Sequence, residues 1–138
     1  MPITEAGARI TAERLAEILA EATGTYTDEY DLQVALDARL TTALAGTGRD
    51  VMREVRLSDG VSRADIWVDG TRWLGPGVVV EVKVAGSLAS VVRQLERYAA
   101  CVEVGELILV TTRARHHHVP REIAGKRVHL VSLVEGGL

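Results

Sequence analysis

The sequence has very little cysteine, no long apolar run and no excess of positive charge. Its one cysteine, Cys101, excludes a disulfide framework and any zinc or iron–sulfur site built from cysteines. The apolar runs are only long enough for strands, so we expect neither a signal peptide nor a membrane span, and we expect a cytoplasmic protein. A net charge of −3 gives no global attraction to nucleic acid, so such binding would need a local basic patch.

The composition that is present is that of one ordinary globular domain. The 138 residues are 47% hydrophobic and 25% charged, which is enough to bury a substantial core as a single unit. We expect residues 1–24 to form an N-terminal helical extension and residues 28–134 to form the core. The sequence shows no internal repeat, linker or low-complexity segment that would divide the chain.

Hydrophobic periodicity predicts the element order α-α-β-β-β-α-β-β. The predicted helices cover residues 8–22, 28–44 and 88–104, with Thr27 and Ser87 as N-caps and Gly105 just after the last helix. The predicted strands cover residues 51–57, 63–69, 78–84, 106–112 and 127–134. A hairpin joins the first two strands, and the strand–helix–strand unit 78–112 implies a parallel pair. The sequence therefore predicts an α/β fold with a mixed central sheet flanked by helices.

The Val-rich strand 78–84 carries an acid and a base within an apolar run. With a period of two, Glu81 and Lys83 point to the same side about 7 Å apart, and the valines at even positions point to the other side. Two charges in a strand buried on both faces are costly unless they are paired or bound to something. The pattern therefore indicates either a structural ion pair or a functional site.

Asp65 lies on the preceding strand, on the face that we expect Ala64, Ile66 and Val68 not to share. Facing side chains on neighbouring strands approach to about 5 Å, which would place Asp65 beside Glu81. Two carboxylates at that distance repel each other unless a proton or a cation lies between them, and hard oxygen ligands favour Mg²⁺ or Mn²⁺. Such an ion, with Lys83 nearby, suits phosphodiester hydrolysis. The alternative is that Asp65 is a solvated strand residue.

The residues Asp65 and Glu81-Val82-Lys83 resemble the motif of the PD-(D/E)XK nuclease superfamily. Ala64 stands where that family usually has a proline. The segment Gln94 to Tyr98 is similar to the Gln-x-x-x-Tyr signature of the RecB-like and lambda-exonuclease-like branch. The resemblance covers well over half of the chain, and it implies a restriction-endonuclease-like αβββαβ core preceded by an extra helix.

The resemblance also implies roles for individual residues in a Mg²⁺- or Mn²⁺-dependent deoxyribonuclease. Asp65 and Glu81 would bind the metal, with the Val82 carbonyl as a further candidate ligand. Lys83 would activate water or stabilise the transition state. Gln94 and Tyr98 fall on one flank of their helix, between core and surface, and would place the scissile region. The alternative is that they are ordinary residues at a helix boundary.

Glu29 is a candidate for a third carboxylate because it lies in line with the apolar stripe of the second helix, and similar nucleases often carry a glutamate there. Gln33 lies one turn later, and Glu54 on the first strand is a weaker candidate for the same role. An acid in a first helical turn is also stabilised by the helix dipole, so a purely structural Glu29 stays open.

A basic, His-rich loop over residues 113–125 should lie at the rim that Lys83 approaches, because parallel strands end at the same edge of a sheet. The predicted contacts with a nucleic-acid backbone are Arg93, Arg97, Arg113, Arg115, His116 and Arg121. The three adjacent histidines 116–118 are alternative metal ligands, although neighbours in a loop rarely converge on one ion. Trp67 and Trp73 are expected to pack in the protein, with base stacking by Trp73 as the alternative.

The expected partner is DNA, with no membrane association. The Gln-x-x-x-Tyr match favours an exonuclease or end-processing enzyme, whereas the small size of the chain suits a dimeric endonuclease such as a junction resolvase, or a restriction or defence effector. The chain would then act as a homodimer or as a subunit of a larger DNA-processing or defence complex. Two alternatives stay open: a non-catalytic module that binds nucleic acid or protein, and an RNA-directed nuclease.

Overall fold

The protein has an α/β fold with one open, six-stranded mixed sheet flanked by helices. A computed structural model describes residues 2–22, 26, 28–70 and 75–134. The helices are α1 (Glu5–Ala8), α2 (Ala12–Ala20), α3 (Glu29–Ala43) and α4 (Leu88–Ala99). The strands are β1 (Val51–Arg56), β2 (Arg63–Val68), β3 (Gly77–Lys83), β4 (Val104–Thr111), β5 (Glu122–Ile123) and β6 (Lys126–Ser132). A 3-10 helix covers Ala114–His118.

The strands lie in the order β1-β2-β3-β4-β6-β5. The pairs β1–β2 and β2–β3 are antiparallel, and β3–β4 and β4–β6 are parallel. The chain therefore runs α-β-β-β-α-β from α3 to β4, and the predicted hairpin, crossover helix and parallel pair are confirmed. Within the described ranges, no helix has the length and apolar character needed to cross a membrane.

Two apolar clusters cover the two faces of the sheet, and β3 contributes to both. Val78, Val80 and Val82 pack with α2 and α3 on one face. Val79 packs with α4 on the other face. The apolar run of β3 thus reflects burial on both sides, as its sequence predicts.

Several predicted boundaries are wrong. The first predicted helix, over residues 8–22, is the shorter α2, and Thr11 caps it by accepting a hydrogen bond from the Arg14 N–H; the short helix α1 before it was not predicted. Asp28, rather than Thr27, is the N-cap of α3, because its carboxylate accepts from the Asp31 N–H; Thr27 itself lies outside the described residues.

The helix α4 ends at Ala99 instead of near residue 104. Val104 is the first residue of β4, where it pairs with Gly77 and is buried, so the helix ends before it. Val102, which falls within the predicted helix 88–104, is 82% exposed, and Gly105 lies inside β4 instead of ending a helix. The segment 113–125 is also more ordered than a loop, since it contains the 3-10 helix and β5.

Candidate functional site

Asp65 lies where the regular alternation of β2 breaks. Ile66 and Val68 pack on the α2–α3 face, but Ala64 packs on the α4 face, so the expectation that these three residues share a face is wrong. The pairing of β1 with β2 skips one position, between the pairs Arg53–Ile66 and Val55–Ala64, where Glu54 would face Asp65; Glu54 has a left-handed φ of 56°. A non-glycine residue in that region costs about 1–2 kcal/mol. The two strands therefore change direction together at Asp65, as strands often do beside functional sites.

This change of direction turns the Asp65 carboxylate towards β3. Ile66 pairs with Val80, so Asp65 and Glu81 occupy the next facing positions of the antiparallel pair. The Asp65 Oδ2 accepts a hydrogen bond of 2.8 Å from the Val82 backbone N–H. The side chain thus replaces a backbone partner between the two strands, and it is fixed beside Glu81.

Glu81 is a fully buried carboxyl group with an incomplete set of partners. Its Oε2 accepts a hydrogen bond of 2.6 Å from the Tyr98 hydroxyl, whereas its Oε1 is buried and has no hydrogen-bond donor. Burial raises the pKa of Glu81 well above its usual range, and Asp65 raises it further, while Lys83 and Tyr98 lower it. The two carboxyl groups are close enough to form a hydrogen bond, which requires that one of them is protonated. Without a proton or a bound cation between them, the two negative charges would repel each other.

Tyr98 connects the helix α4 to this carboxyl pair. Its hydroxyl lies 2.9 Å from the Arg63 carbonyl oxygen, and it accepts a hydrogen bond of 2.7 Å from Gln94 Nε2. The prediction of an intermediate position is correct for half-buried Gln94 but wrong for Tyr98, which is buried. A helical wheel places Tyr98 beside the apolar stripe, but the sheet covers this flank too. Burial raises the pKa of Tyr98, and Glu81 raises it further, so the hydroxyl keeps its proton and acts as a donor.

Glu29 and Lys83 complete the group of charges. Burial raises the pKa of half-buried Glu29, Lys83 lowers it, Asp65 raises it, and a hydrogen bond with the Val84 backbone lowers it. The N-terminal turn of α3 therefore brings Glu29 to the same place as Asp65 and Lys83. Gln33, one turn later, is buried and its Oε1 has no partner. Glu54 is instead exposed and pairs with Arg63 at 3.3 Å.

A divalent cation fits the Asp65–Glu81 pair by its donor chemistry. The unpartnered Glu81 Oε1 and the neighbouring Asp65 carboxylate are hard oxygen donors of the kind that Mg²⁺ and Mn²⁺ prefer. No group of three His, Cys, Asp or Glu side chains in the described part of the chain is arranged to hold a metal ion. A bound ion would consequently depend on two carboxylates, with water or backbone oxygen for its other positions.

The arginines after β4 lie against the loop that follows Lys83. Arg113 Nε donates to the Val84 carbonyl at 2.6 Å, and Arg115 Nε donates to the Gly86 carbonyl at 2.8 Å. Both side chains are exposed, as are Arg93, Arg97 and Arg121. The structure thus places Arg113 and Arg115 at the rim that Lys83 approaches, as predicted.

His116 does not belong to this exposed basic surface, so its prediction as a nucleic-acid contact is wrong. It is fully buried, with Nδ1 2.6 Å from Thr111 Oγ1 and Nε2 2.9 Å from the Gly86 carbonyl oxygen. The 3-10 helix turns the imidazole inward, where it fastens the β3–α4 loop. No pattern in the sequence indicates this role of His116, or the parts played by Thr111 and Gly86. His117 instead contacts Ser132 Oγ at 2.7 Å, so the histidines do not converge.

We expect the substitution His116→Ala to lower the free energy of unfolding by about 2–3 kcal/mol, because it removes the hydrogen bonds of the imidazole with the Thr111 hydroxyl and the Gly86 carbonyl and leaves a cavity. Urea unfolding followed by circular dichroism measures this change. The exposed neighbour His118 provides the matched control, and His118→Ala should leave the midpoint unchanged. Equal effects of the two substitutions would contradict the role of His116 as an internal brace.

The packing role predicted for the two tryptophans can be followed only for Trp67. Trp67 is buried among the residues on the α4 face, and its Nε1 donates to Asp69 at 2.6 Å, so its predicted packing role is confirmed. Trp73 and the adjacent Arg72 lie outside the described residues.

Comparisons with known proteins found one distant structural neighbour and no matching family. No protein-family model matches the chain, and no curated protein matches it. A solved half-complex from a tetradecameric assembly of Thermococcus gammatolerans McrB AAA+ hexamers with bound McrC contains a chain with 14% sequence identity and a TM-score of 0.48. The match covers 79% of this chain and 28% of that chain. This chain thus spans less than a third of that neighbour's length, and a likeness of this size carries no argument about function.

Proposed function

We propose that this protein is a divalent-metal-dependent nuclease that hydrolyses phosphodiester bonds in DNA. The observation that carries the proposal is the fully buried Glu81, whose Oε1 lacks a partner beside the Asp65 carboxylate, with Lys83 two residues further along the same strand. A buried pair of acids of this kind lowers the stability of the folded protein, and a bound cation would offset this loss.

The fold supports the proposal through the position of each group. The order α3-β1-β2-β3-α4-β4 is the αβββαβ order of the restriction-endonuclease-like core. Asp65 lies on the second strand of this order, and Glu81 and Lys83 lie on the third. Gln94 and Tyr98, the residues of the Gln-x-x-x-Tyr segment, lie on the following helix and contact each other and Glu81.

Mg²⁺ or Mn²⁺ would be held by the carboxylates of Asp65 and Glu81, with the Val82 carbonyl as a further ligand and Glu29 close by. When bound, such an ion polarises a phosphoryl oxygen and makes a water more acidic. Lys83 places a positive charge where the phosphate becomes more negative in the transition state. Tyr98 holds the Glu81 carboxylate in place by its short hydrogen bond, and Gln94 orients the Tyr98 hydroxyl.

A nucleic acid would approach over the rim where Arg113 and Arg115 contact the β3–α4 loop. Their exposed guanidinium groups can form hydrogen bonds with phosphate oxygens, which fixes the position of a strand without reading its sequence. Because the chain as a whole carries a net charge of −3, this local patch would supply the attraction.

One experiment tests the activity directly. The purified protein is incubated with linear, circular, single-stranded and branched DNA, and in parallel with RNA, in Mg²⁺, in Mn²⁺ and in EDTA. We expect products on gels from at least one DNA substrate, and none in EDTA. Cleavage of RNA alone would support the RNA-directed alternative, and cleavage of circles would assign an endonuclease.

A non-catalytic binding module is the second candidate. One observation favours it, namely that no three ligating side chains in the described ranges form a metal-binding group. Nucleic-acid binding without cleavage in either metal, together with no metal binding by calorimetry, would support the module and overturn the nuclease.

A further inference from the structure

An arginine on β1 has donor groups that no residue described by the structure uses. Arg53 Nε is buried and has no hydrogen-bond partner, and Arg53 forms no ion pair among the described residues. Its guanidinium carbon lies 5.0 Å from the centre of the Tyr30 ring, and Tyr30 is 62% exposed. A tyrosine face therefore holds the cation at the surface while its hydrogen-bonding capacity stays open.

Arg49 shows what a structural arginine looks like in the same molecule. Arg49 is buried, and it donates to three backbone carbonyl oxygens, those of Asp69, Gly7 and Ile10, at 2.7–3.1 Å. Arg49 thus joins three parts of the chain. Among the described residues, Arg53 forms a polar contact only with an exposed ring, so the described part of the fold does not explain its role.

The position of Arg53 adds a second observation. Tyr30 directly follows Glu29, whose pKa is affected by Lys83 and Asp65. Arg53 pairs with Ile66, the residue directly after Asp65 on β2. The Arg53–Tyr30 pair is therefore a neighbour of the candidate site on the β1 side, whereas Arg113 and Arg115 lie beyond β3 on the β4 side.

We propose that Arg53, held by Tyr30, binds a phosphate group of the nucleic acid on the β1 side of the site. This inference rests on the proposed function, which it deepens by assigning a second point of contact. A guanidinium presents planar donors that match two phosphate oxygens. The acids Glu29, Asp65 and Glu81 repel a phosphate, so a cation on each side of them would draw the strand across the site.

Binding is measured by fluorescence anisotropy of a labelled DNA duplex in Ca²⁺, as a function of salt concentration. We expect Arg53→Gln to weaken binding about tenfold and to reduce the slope of log K against log salt by about 0.9, the value for one phosphate contact. Arg56→Gln is the matched control, because Arg56 is exposed on the same strand and donates to the Gly60 carbonyl. It should leave the slope unchanged. Duplexes with and without a 5′-phosphate separate a terminal phosphate from an internal one.

Tyr30 provides a further pair of variants. Tyr30→Phe keeps the ring under the guanidinium and should bind as the wild type does, whereas Tyr30→Ala should weaken binding. Melting temperature is measured for every variant. Arg53→Gln and Tyr30→Ala both lose the exposed cation–π contact, so each should melt within about 4 °C of the wild type. A larger fall in the melting temperature of Arg53→Gln with an unchanged salt slope would show a structural role and overturn the proposal.

The outcomes also separate this inference from the proposed function. If the wild type cleaves DNA and Arg53→Gln keeps the full slope, the phosphate contact is wrong and the nuclease stands. If the wild type never cleaves but the slope still falls in Arg53→Gln, the nuclease is wrong and the phosphate contact stands. A wild type that does not bind DNA at all overturns the contact.

Discussion

Replacing Lys83 with alanine should reduce Mg²⁺-dependent DNA cleavage by about 10³-fold, the effect of losing one preorganised group that stabilises charge in a transition state. Lys83 lies close enough to Glu29 and Glu81 to lower the pKa of both. The charge of Lys83 thus acts on both acids, and no other described lysine or arginine affects them. The rate of cleavage under single-turnover conditions measures the effect, and it does so without a contribution from product release.

The chain contains a matched control for this experiment, because its only other lysine is Lys126. Lys126 Nζ donates to the Cys101 carbonyl at 2.8 Å, on the side of the protein away from β2. Lys126→Ala removes the same charge and should cleave within about twofold of the wild type, since it lies outside the chemistry. Full cleavage by Lys83→Ala, or equal losses in the two variants, would remove Lys83 from the mechanism.

Substituting Glu81 by glutamine should stabilise the metal-free protein, by about 2 kcal/mol at pH 8, while abolishing cleavage. The folded pKa of Glu81 lies above its ordinary value of 4.5, so this group favours folding at or below pH 4.5. That contribution is lost as the pH rises towards the folded pKa, because the unfolded chain ionises Glu81 freely and the folded chain does not. The stability gap between the two proteins in EDTA should therefore widen as the pH is raised.

Denaturant unfolding in EDTA from pH 4 to pH 8 measures that gap. The exposed Glu96 on α4 supplies the control variant Glu96→Gln, which should follow the wild type at every pH. Mg²⁺ at about 100 times its dissociation constant should stabilise the wild type by about 2.7 kcal/mol and leave Glu81→Gln unchanged. A Glu81→Gln variant less stable than the wild type in EDTA would instead show that the carboxyl is satisfied in the folded protein.

The sequence predicted the elements whose signals are local. The apolar run of β3 and the helical spacing of the leucines on α3 are each set by burial of one segment, and both elements lie where they were expected. The facing positions of Asp65 and Glu81 followed from the hairpin and the antiparallel pairing alone. The proximity of Glu29 followed from its place on the buried stripe of its helix.

The features that the sequence did not predict depend on contacts between distant segments. Tyr98 is buried because β2 and β3 cover the flank of α4, which a helical wheel does not include. His116 points inward because Thr111 and the Gly86 carbonyl provide partners for both ring nitrogens. The early end of α4 reflects the pairing of Val104 with Gly77, which lies 27 residues earlier in the chain. Arg53 was missed because its partner ring belongs to another element.

The position of β3 in both apolar clusters has a consequence for how the molecule unfolds. If the layer of α2 and α3 separates, Val78, Val80 and Val82 are exposed, and if α4 separates, the facing side of the same strand is exposed. Neither layer can leave without removing support from a strand that the other layer needs. We therefore expect one cooperative unfolding transition, in which fluorescence and circular dichroism report the same midpoint. The unfavourable burial of the Glu81 charge then lowers the free energy of unfolding of the whole domain.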